Sequence, residues 1–446
     1  MGFHYHPLCK PMRLSHLMFA DDLLLFSKGD VNSIMILLRT YATFSNASGL
    51  RLSKGKSNAY FNGMQAIVKR EILQVSGCIE GRLPFKYLGV PIKTTRLNAH
   101  DCAPLIEKIT AKIRGLGARK FSYAGRLVLI KAVLKTYHNY WATMFILPSG
   151  VIARIKTICR NFLWDGGSEY IRTPLVAWDK VCRPKTEGGL GLENDSVWNK
   201  AALGKLVWWI SHKADHLWVK WINHTYLKGQ EWHSNCPTSD TSWYWRRLCQ
   251  VRDLLKDWTE QGEGDYSIAK GYDFLREKTQ EVQWSNVVWN QLTIPKHSLV
   301  AWLYHHKALT TNAKLKDIGI TSDDTCYICG VGAEQLDHLF FSCIFSNNIV
   351  SIVEIWLGIQ LPRQNLLDWR IQFHGSGYKR DVVNGVLNAL IYSIWRQRNT
   401  CKFEIQLLRP HKVAENLIKD LKIWIVQIQK RSKRKEDDWT RLLCGR

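Results

Sequence analysis

Two short apolar runs, residues 17–20 and 23–26, flank the acidic pair Asp21 and Asp22. A two-residue polar connection between such runs predicts a β-hairpin with the carboxylates at its tip. The pattern alone leaves a second reading open, ten residues of buried helix from Leu17 to Phe26. From Val31 to Phe44 the apolar positions Ile34, Leu37, Leu38, Tyr41 and Phe44 recur at helical spacing, and Gly49 predicts the stop. Residues 83–92 read as a strand closed by Gly89 and Pro91. Residues 104–147 read as helical and basic, with Leu105, Ile109, Ile113 and Leu116 on one stripe and charged residues elsewhere. Beyond Val350 the spacing is helical again. Val382, Val386, Leu390 and Ile394 form one stripe with Val383, Leu387, Ile391 and Trp395 beside it, and Leu417, Leu421, Trp424 and Ile428 form another. The expected class is α+β, with small β elements early and helices through the rest.

Charge narrows the partner. The 446 residues hold 62 Lys and Arg against 38 Asp and Glu, a formal net charge of +24, which points to a polyanion. Residues 1–150 carry 21 Lys and Arg but seven Asp and Glu, so the nucleic-acid surface is expected there. An acidic membrane is the competing partner, but no basic amphipathic anchor accompanies the charge. The N-terminus has no charged-then-apolar leader, and no apolar run approaches the ~18 residues that span a bilayer. The expectation is an intracellular protein, nuclear or cytoplasmic or both, with no membrane partner. The 12 cysteines then read as thiols or metal ligands rather than disulfides. None of the 20 tryptophans precedes Trp141, which marks a compositional boundary. At helical spacing, tryptophans are more often core than base-stacking surface.

The acidic pair carries the first candidate chemistry. Adjacent carboxylates repel, and a site that holds both usually offsets the charge with a divalent cation; oxygen ligands suit Mg2+, as in nucleotidyl transfer. Phe19-Ala20-Asp21-Asp22 inside an apolar hairpin resembles the F/Y-x-D-D motif of reverse transcriptases, in the form used by LINE-type (non-LTR) retrotransposons of plants. The resemblance implies that Asp21 and Asp22 are palm carboxylates and that Mg2+ serves the parent polymerase activity. Gly49-Leu50 followed by Lys56-Ser57 resembles the family's next motif, with Ser53 where an Asn is usual. A lysine at Lys56 would steer or protonate the pyrophosphate leaving group; a solvated basic turn is the plain alternative. Tyr87-Leu88-Gly89-Val90-Pro91 resembles the primer-grip hairpin, which assigns Tyr87 and Gly89 to the primer end. The basic helices after it resemble the thumb, where Lys108, Lys112, Arg119 and Lys120 would track a nucleic-acid backbone.

Two later motifs extend the resemblance. Pro184-Lys185, then Gly188-Gly189-Leu190-Gly191-Leu192, then Asn199, Ala201 and Leu203 resemble a connector of plant LINE open reading frames. It is not a phosphate loop, because no Gly-Lys-Ser/Thr follows at the required spacing. Cys326 and Cys329 bring two thiolates onto one turn, and His338 and Cys343 can complete a tetrahedral zinc site from a second short element. Ile294-Pro295-Lys296, Trp302, Leu309-Thr310-Thr311, Glu334 and Leu339-Phe340-Phe341 around them resemble the reverse-transcriptase zinc-binding domain. His305 and His306 fall outside the ligand spacing and read as ordinary polar residues.

The expected organisation is the C-terminal part of a palm at 1–100, thumb-like basic helices at 101–150, and a Trp-rich helical connector at 151–290. A zinc-binding domain at 291–375 and a helical tail at 376–446 with a basic end follow. In the family another metal-binding aspartate lies far upstream of the hairpin, and one carboxylate cluster cannot hold two metals for in-line displacement. The expected function is therefore a fragment of an RNA-directed DNA polymerase that binds RNA and DNA as primer-template, with structural Zn2+, and is inactive alone. Other retrotransposon proteins are further expected partners. The alternative is a non-enzymatic zinc-dependent nucleic-acid-binding protein.

Overall fold

The computed structural model describes residues 2–116, 121–169, 173–261, 265–361, 363, 377–432, 443 and 445. Among them the architecture is mostly helical, with three two-stranded sheets. The chain divides into two compact units, one of residues 1–105, 138–152 and 196–276, the other of 106–137, 153–195 and 277–446.

In the first unit, β1 (His16–Phe19) and β2 (Asp22–Leu25) form the expected antiparallel hairpin, with Phe19 paired to Asp22 and Leu17 to Leu24. The turn is Ala20-Asp21, one residue earlier than the pattern suggested, and Ala20 takes the left-handed backbone at φ 51°. No residue of either strand is buried, and Phe19 is 60% exposed. Register is weakly specified where no face is buried, so the alternation of side chains had no hold on it. The helix Val31–Ser48 follows, capped by the Asp30 side chain accepting from Ser33 N–H and stopped at Gly49 in the left-handed region. Residues 50–53 form no strand. Instead Tyr41 and Ser45 hydroxyls donate to the Leu50 carbonyl, turning the chain back onto the helix.

β3 (Asn58–Ala59) pairs in parallel with β4 (Ile79–Glu80), and β5 (Phe85–Tyr87) pairs antiparallel with β6 (Val90–Ile92). Leu88 and Gly89 both have positive φ, 50° and 80°, the mirror-image two-residue turn whose twist matches the strands it joins. The Tyr140 hydroxyl donates to the Leu88 carbonyl at 2.7 Å and holds that turn. The core of this unit lies elsewhere. Leu203, Val207, Ile210, Trp232, Trp245 and Leu248 close together, with Arg252 donating to the carbonyls of Trp232 and Asn235.

The second unit is built on long helices. Gly377–Glu404 packs against both Pro295–His305 and Pro410–Ser432, and the last of these also packs against Ile344–Leu357. The stripe Val382, Val386, Leu390 and Ile394 is buried, as its spacing predicts. Trp164 stacks on Trp302 at 6.5 Å, both within the core. Two basic residues of the 104–147 stretch are interior. Arg126 is buried and donates to the Leu163 carbonyl. Lys135 is buried against Asp195 and also donates to the Glu193 carbonyl. Burial works against the Lys135 charge, but Asp195 beside it more than offsets this and raises its pKa.

Breaking a buried pair by deleting one member costs about 3–5 kcal/mol, whereas replacing both with apolar groups is often near neutral. Lys135→Met should therefore destabilise the chain by about that amount in denaturant unfolding. Lys135→Met with Asp195→Leu should recover most of the loss; equal destabilisation by the single and double variants would contradict a compensated pair.

Candidate metal centre

The Cys326–Cys343 stretch folds back on itself through a few backbone bonds. Thr325 bridges Ala333, Cys326 N–H donates to the Gly332 carbonyl, and Gly330 N–H donates to the Cys326 carbonyl. Gly330 and Gly332 both take positive φ, which lets so short a loop return. His338 opens a single wide helical turn, His338–Ser342, and Cys343 begins the helix Ile344–Leu357.

These elements bring one ligand atom from each of Cys326, Cys329, His338 and Cys343 within 4.8 Å of one another. Cys329 Sγ and His338 Nε2 lie 3.3 Å apart. Zn–S bonds of about 2.3 Å and Zn–N bonds of about 2.1 Å place tetrahedral ligands between three and four ångströms apart, so the cluster needs little adjustment to close on the ion. Cys326 and Cys343 are buried and Cys329 and His338 half-buried. The thiols of Cys326 and Cys343 interact directly, which favours the thiolate of Cys343 and the neutral thiol of Cys326. Backbone N–H groups of Phe345 and Ser346, in the first turn of the helix after Cys343, also favour its thiolate. Three thiols and one imidazole form a soft donor set that suits zinc and does not suit Mg2+. When bound, the ion would cross-link the two halves of the loop, a contribution on the order of 10 kcal/mol in small domains.

What aims the loop is a carboxylate. Glu334 is fully buried; its Oε1 accepts from Asn312 N–H and from Nε and Nη2 of Arg398, and its Oε2 accepts from Tyr327 N–H inside the Cys326–Cys329 turn. Thr311 caps the helix Asn312–Asp317, and the Asn312 side chain donates to the Thr325 carbonyl just before the first ligand. Arg398 also lies over the rings of Tyr327 and Trp395. The sequence marked Glu334 but not Arg398. The available signal was an arginine four residues after Ile394 and seven after Ile391, where the apolar stripe would continue, a position that demands a buried acid.

The other candidate residues form no such cluster. Asp21 lies in the hairpin turn and Asp22 opens β2, both exposed. Among the described residues no third cysteine, histidine or carboxylate joins them as a metal site. Two exposed carboxylates alone do not fit the two-metal arrangement. Lys56 is exposed at the end of the short turn Lys54–Lys56. Tyr87 is half-buried in β5 and Gly89 exposed in the turn after it. Lys108 and Lys112 are exposed on Ala103–Gly115, with Lys108 over the Tyr137 ring at 5.8 Å. Arg119 and Lys120 lie outside the described residues, as do Lys433, Arg434 and Lys435 of the basic end. His305 stacks on Trp284 and His306 bonds the Gly188 carbonyl, so both have structural roles.

Comparison with known proteins agrees with the loop. Residues 266–349 match the family model described as zinc-binding in reverse transcriptase. A putative ribonuclease H protein of Arabidopsis thaliana is 30% identical over 169 residues, 37% of this chain and 27% of that protein. An uncharacterized mitochondrial protein of the same plant is 25% identical over 117 residues, 26% of this chain and 76% of that protein. The chain thus spans about a quarter of the length of the first relative.

Arg398→Met should leave the Glu334 carboxylate buried without its cation, costing about 3–5 kcal/mol of stability. Outer partners of metal ligands typically set 10–100-fold in affinity, so zinc should be held more weakly by about that factor in a competitive chelator titration. Unchanged zinc affinity in this variant would show that Glu334 does not position the ligands.

Proposed function

We propose that this chain is part of the RNA-directed DNA polymerase of a plant LINE-type retrotransposon and acts by itself as a zinc-stabilised nucleic-acid-binding protein. The observation that carries the reading is the Cys326, Cys329, His338 and Cys343 cluster inside a segment that matches the reverse-transcriptase zinc-binding model. In this reading residues 1–100 are palm and 101–150 thumb. The connector spans 151–290, the zinc domain 291–375 and a tail 376–446. Asp21 and Asp22 are the palm carboxylates of the parent enzyme, Lys56 faces the leaving group, and Tyr87 and Gly89 face the primer end.

The exposed β1–β2 hairpin supports the palm assignment. Leu17, Met18, Phe19 and Leu25 are uncovered, an apolar surface of the kind that further strands normally cover. Lys108 and Lys112, together with Arg119 and Lys120, would contact phosphates, and RNA and DNA are the partners that the net charge favours. Other retrotransposon proteins are further partners in this reading. Mg2+ enters only with the parent enzyme, because among the described residues no third ligand joins Asp21 and Asp22. That same observation favours the second reading, a binding protein without chemistry. Among the described residues no helix is long and apolar enough to cross a membrane, and the proposal places the chain inside the cell, in nucleus or cytoplasm.

Given primed RNA template, dNTPs and Mg2+, the purified chain should extend nothing, while its affinity for the same primer-template should fall steeply with salt. Lys108→Ala with Lys112→Ala should flatten the log–log salt slope by about 0.9 per lost phosphate contact. Extension abolished by Asp21→Asn would overturn inactivity in isolation, and salt-independent binding would overturn the phosphate contacts.

A further inference from the structure

The glycine-rich loop at 184–192 brings two lysines together against their mutual repulsion. Lys131 Nζ donates to the Leu190 carbonyl at 2.8 Å, and Lys185 Nζ lies 4.5 Å over the Trp289 ring. Both side chains converge on Gly191: a Cβ placed there would lie 3.4 Å from Lys131 Nζ and 4.0 Å from Lys185 Cγ. Both residues stay open to solvent, where an ammonium is free to turn away into water; the carbonyl and the indole hold these two in place instead. Partial burial and the charge of Lys185 lower the pKa of Lys131, with Glu193 acting the other way, and partial burial lowers that of Lys185. An anion between them would relieve the repulsion.

The surrounding charge is positive as well. His306 bonds the Gly188 carbonyl of the same loop, and there, after burial, Lys180 and Arg183 disfavour its protonation. None of these four cations, Lys131, Lys180, Arg183 and Lys185, forms an ion pair among the described residues. Most carboxylates of the region are committed elsewhere: Glu187 accepts from Thr279, Asp195 pairs with Lys135 and Asp179 with Lys156. Glu193 remains, one acid against four cations.

The loop's own donors are already used. The N–H groups of Glu187 through Gly191 all donate to carbonyls of residues 181–185, so the backbone offers no cradle for a lone phosphate. Two point charges on an open surface hold a single phosphate weakly. A polyanion meets Lys180 and Arg183 too, and releases counterions as its phosphates are neutralised.

We propose that Lys131 and Lys185 bind a backbone phosphate of a nucleic-acid strand, with Lys180 and Arg183 contacting neighbouring phosphates. As the occupant, the strand rests on the nucleic-acid partner proposed above; the connector motif joins Lys108 and Lys112 in contacting it.

The full chain is titrated into primer-template across a range of salt, and its lysines are acetylated with and without the nucleic acid and read by mass spectrometry. Lys131→Gln with Lys185→Gln should flatten the log–log salt slope by about 1.8, two contacts at about 0.9 each. Lys185→Gln alone, which removes no hydrogen bond or ion pair among the described residues, should flatten it by about 0.9, and Lys185→Arg should keep the wild-type slope. Primer-template should protect Lys131 and Lys185 of the wild-type chain from acetylation. A wild-type slope in both Gln variants, with both lysines acetylated equally in free and bound chain, would overturn the site while leaving nucleic-acid binding intact. A wild-type chain that binds no primer-template would overturn the site and the proposed function together. Binding to phosphatidylserine vesicles that the Gln variants lose, with their primer-template slope unchanged, would overturn the strand in favour of an acidic membrane surface.

Discussion

Everything around the ligand loop depends on one carboxylate that water does not reach. Glu334 ties the Cys326–Cys329 turn, the start of the helix Asn312–Asp317 and the long helix Gly377–Glu404 to a single point through Arg398. A lone carboxylate in that position would cost several kcal/mol. A forked guanidinium returns the cost and fixes direction at the same time. Three thiols crowded within 4.8 Å cannot all ionise without a cation. The buried ion pair and a bound metal would therefore have complementary tasks: Glu334 and Arg398 place the loop on the helices, and the ion would close it.

The same logic links the glycine-rich motif to the zinc-binding segment. Trp302 Nε1 donates to the Gly188 carbonyl at 2.8 Å, and His306 bonds the same oxygen at 2.7 Å. Glu187 accepts from both the backbone and the hydroxyl of Thr279. A side chain at Gly189 would collide with the backbone at Arg183, so the close return of this loop requires glycine. Residues 184–192 lie outside the matched segment 266–349, whereas Trp302 and His306 lie inside it. The connector motif and the zinc-binding segment are thus parts of one packed structure, and several of the tryptophans serve as its core.

The sequence made visible what depends on local spacing. Gly49 ended its helix and the four ligands met, because each is fixed by backbone geometry within a few residues; spacing alone read residues 83–92 as one strand closed by Gly89 and Pro91, whereas they form a hairpin turning at Leu88 and Gly89 with Pro91 inside its second strand. Three features were hidden because they depend on distant partners. The basic helices gave no sign that Lys135 would be buried against Asp195, sixty residues away. Arg398 reads as surface charge until Glu334 is placed beside it. The β1–β2 register slipped by one because its exposed faces gave burial nothing to select.

The central claim is that Cys326, Cys329, His338 and Cys343 hold one zinc ion in a closed tetrahedral site. Zinc K-edge X-ray absorption on the purified full-length chain reads the donor atoms directly. One zinc per chain with three sulfurs at about 2.3 Å and one nitrogen at about 2.0–2.1 Å is the predicted result. A shell of oxygen and nitrogen alone, or a chain purified without stoichiometric zinc, would contradict it.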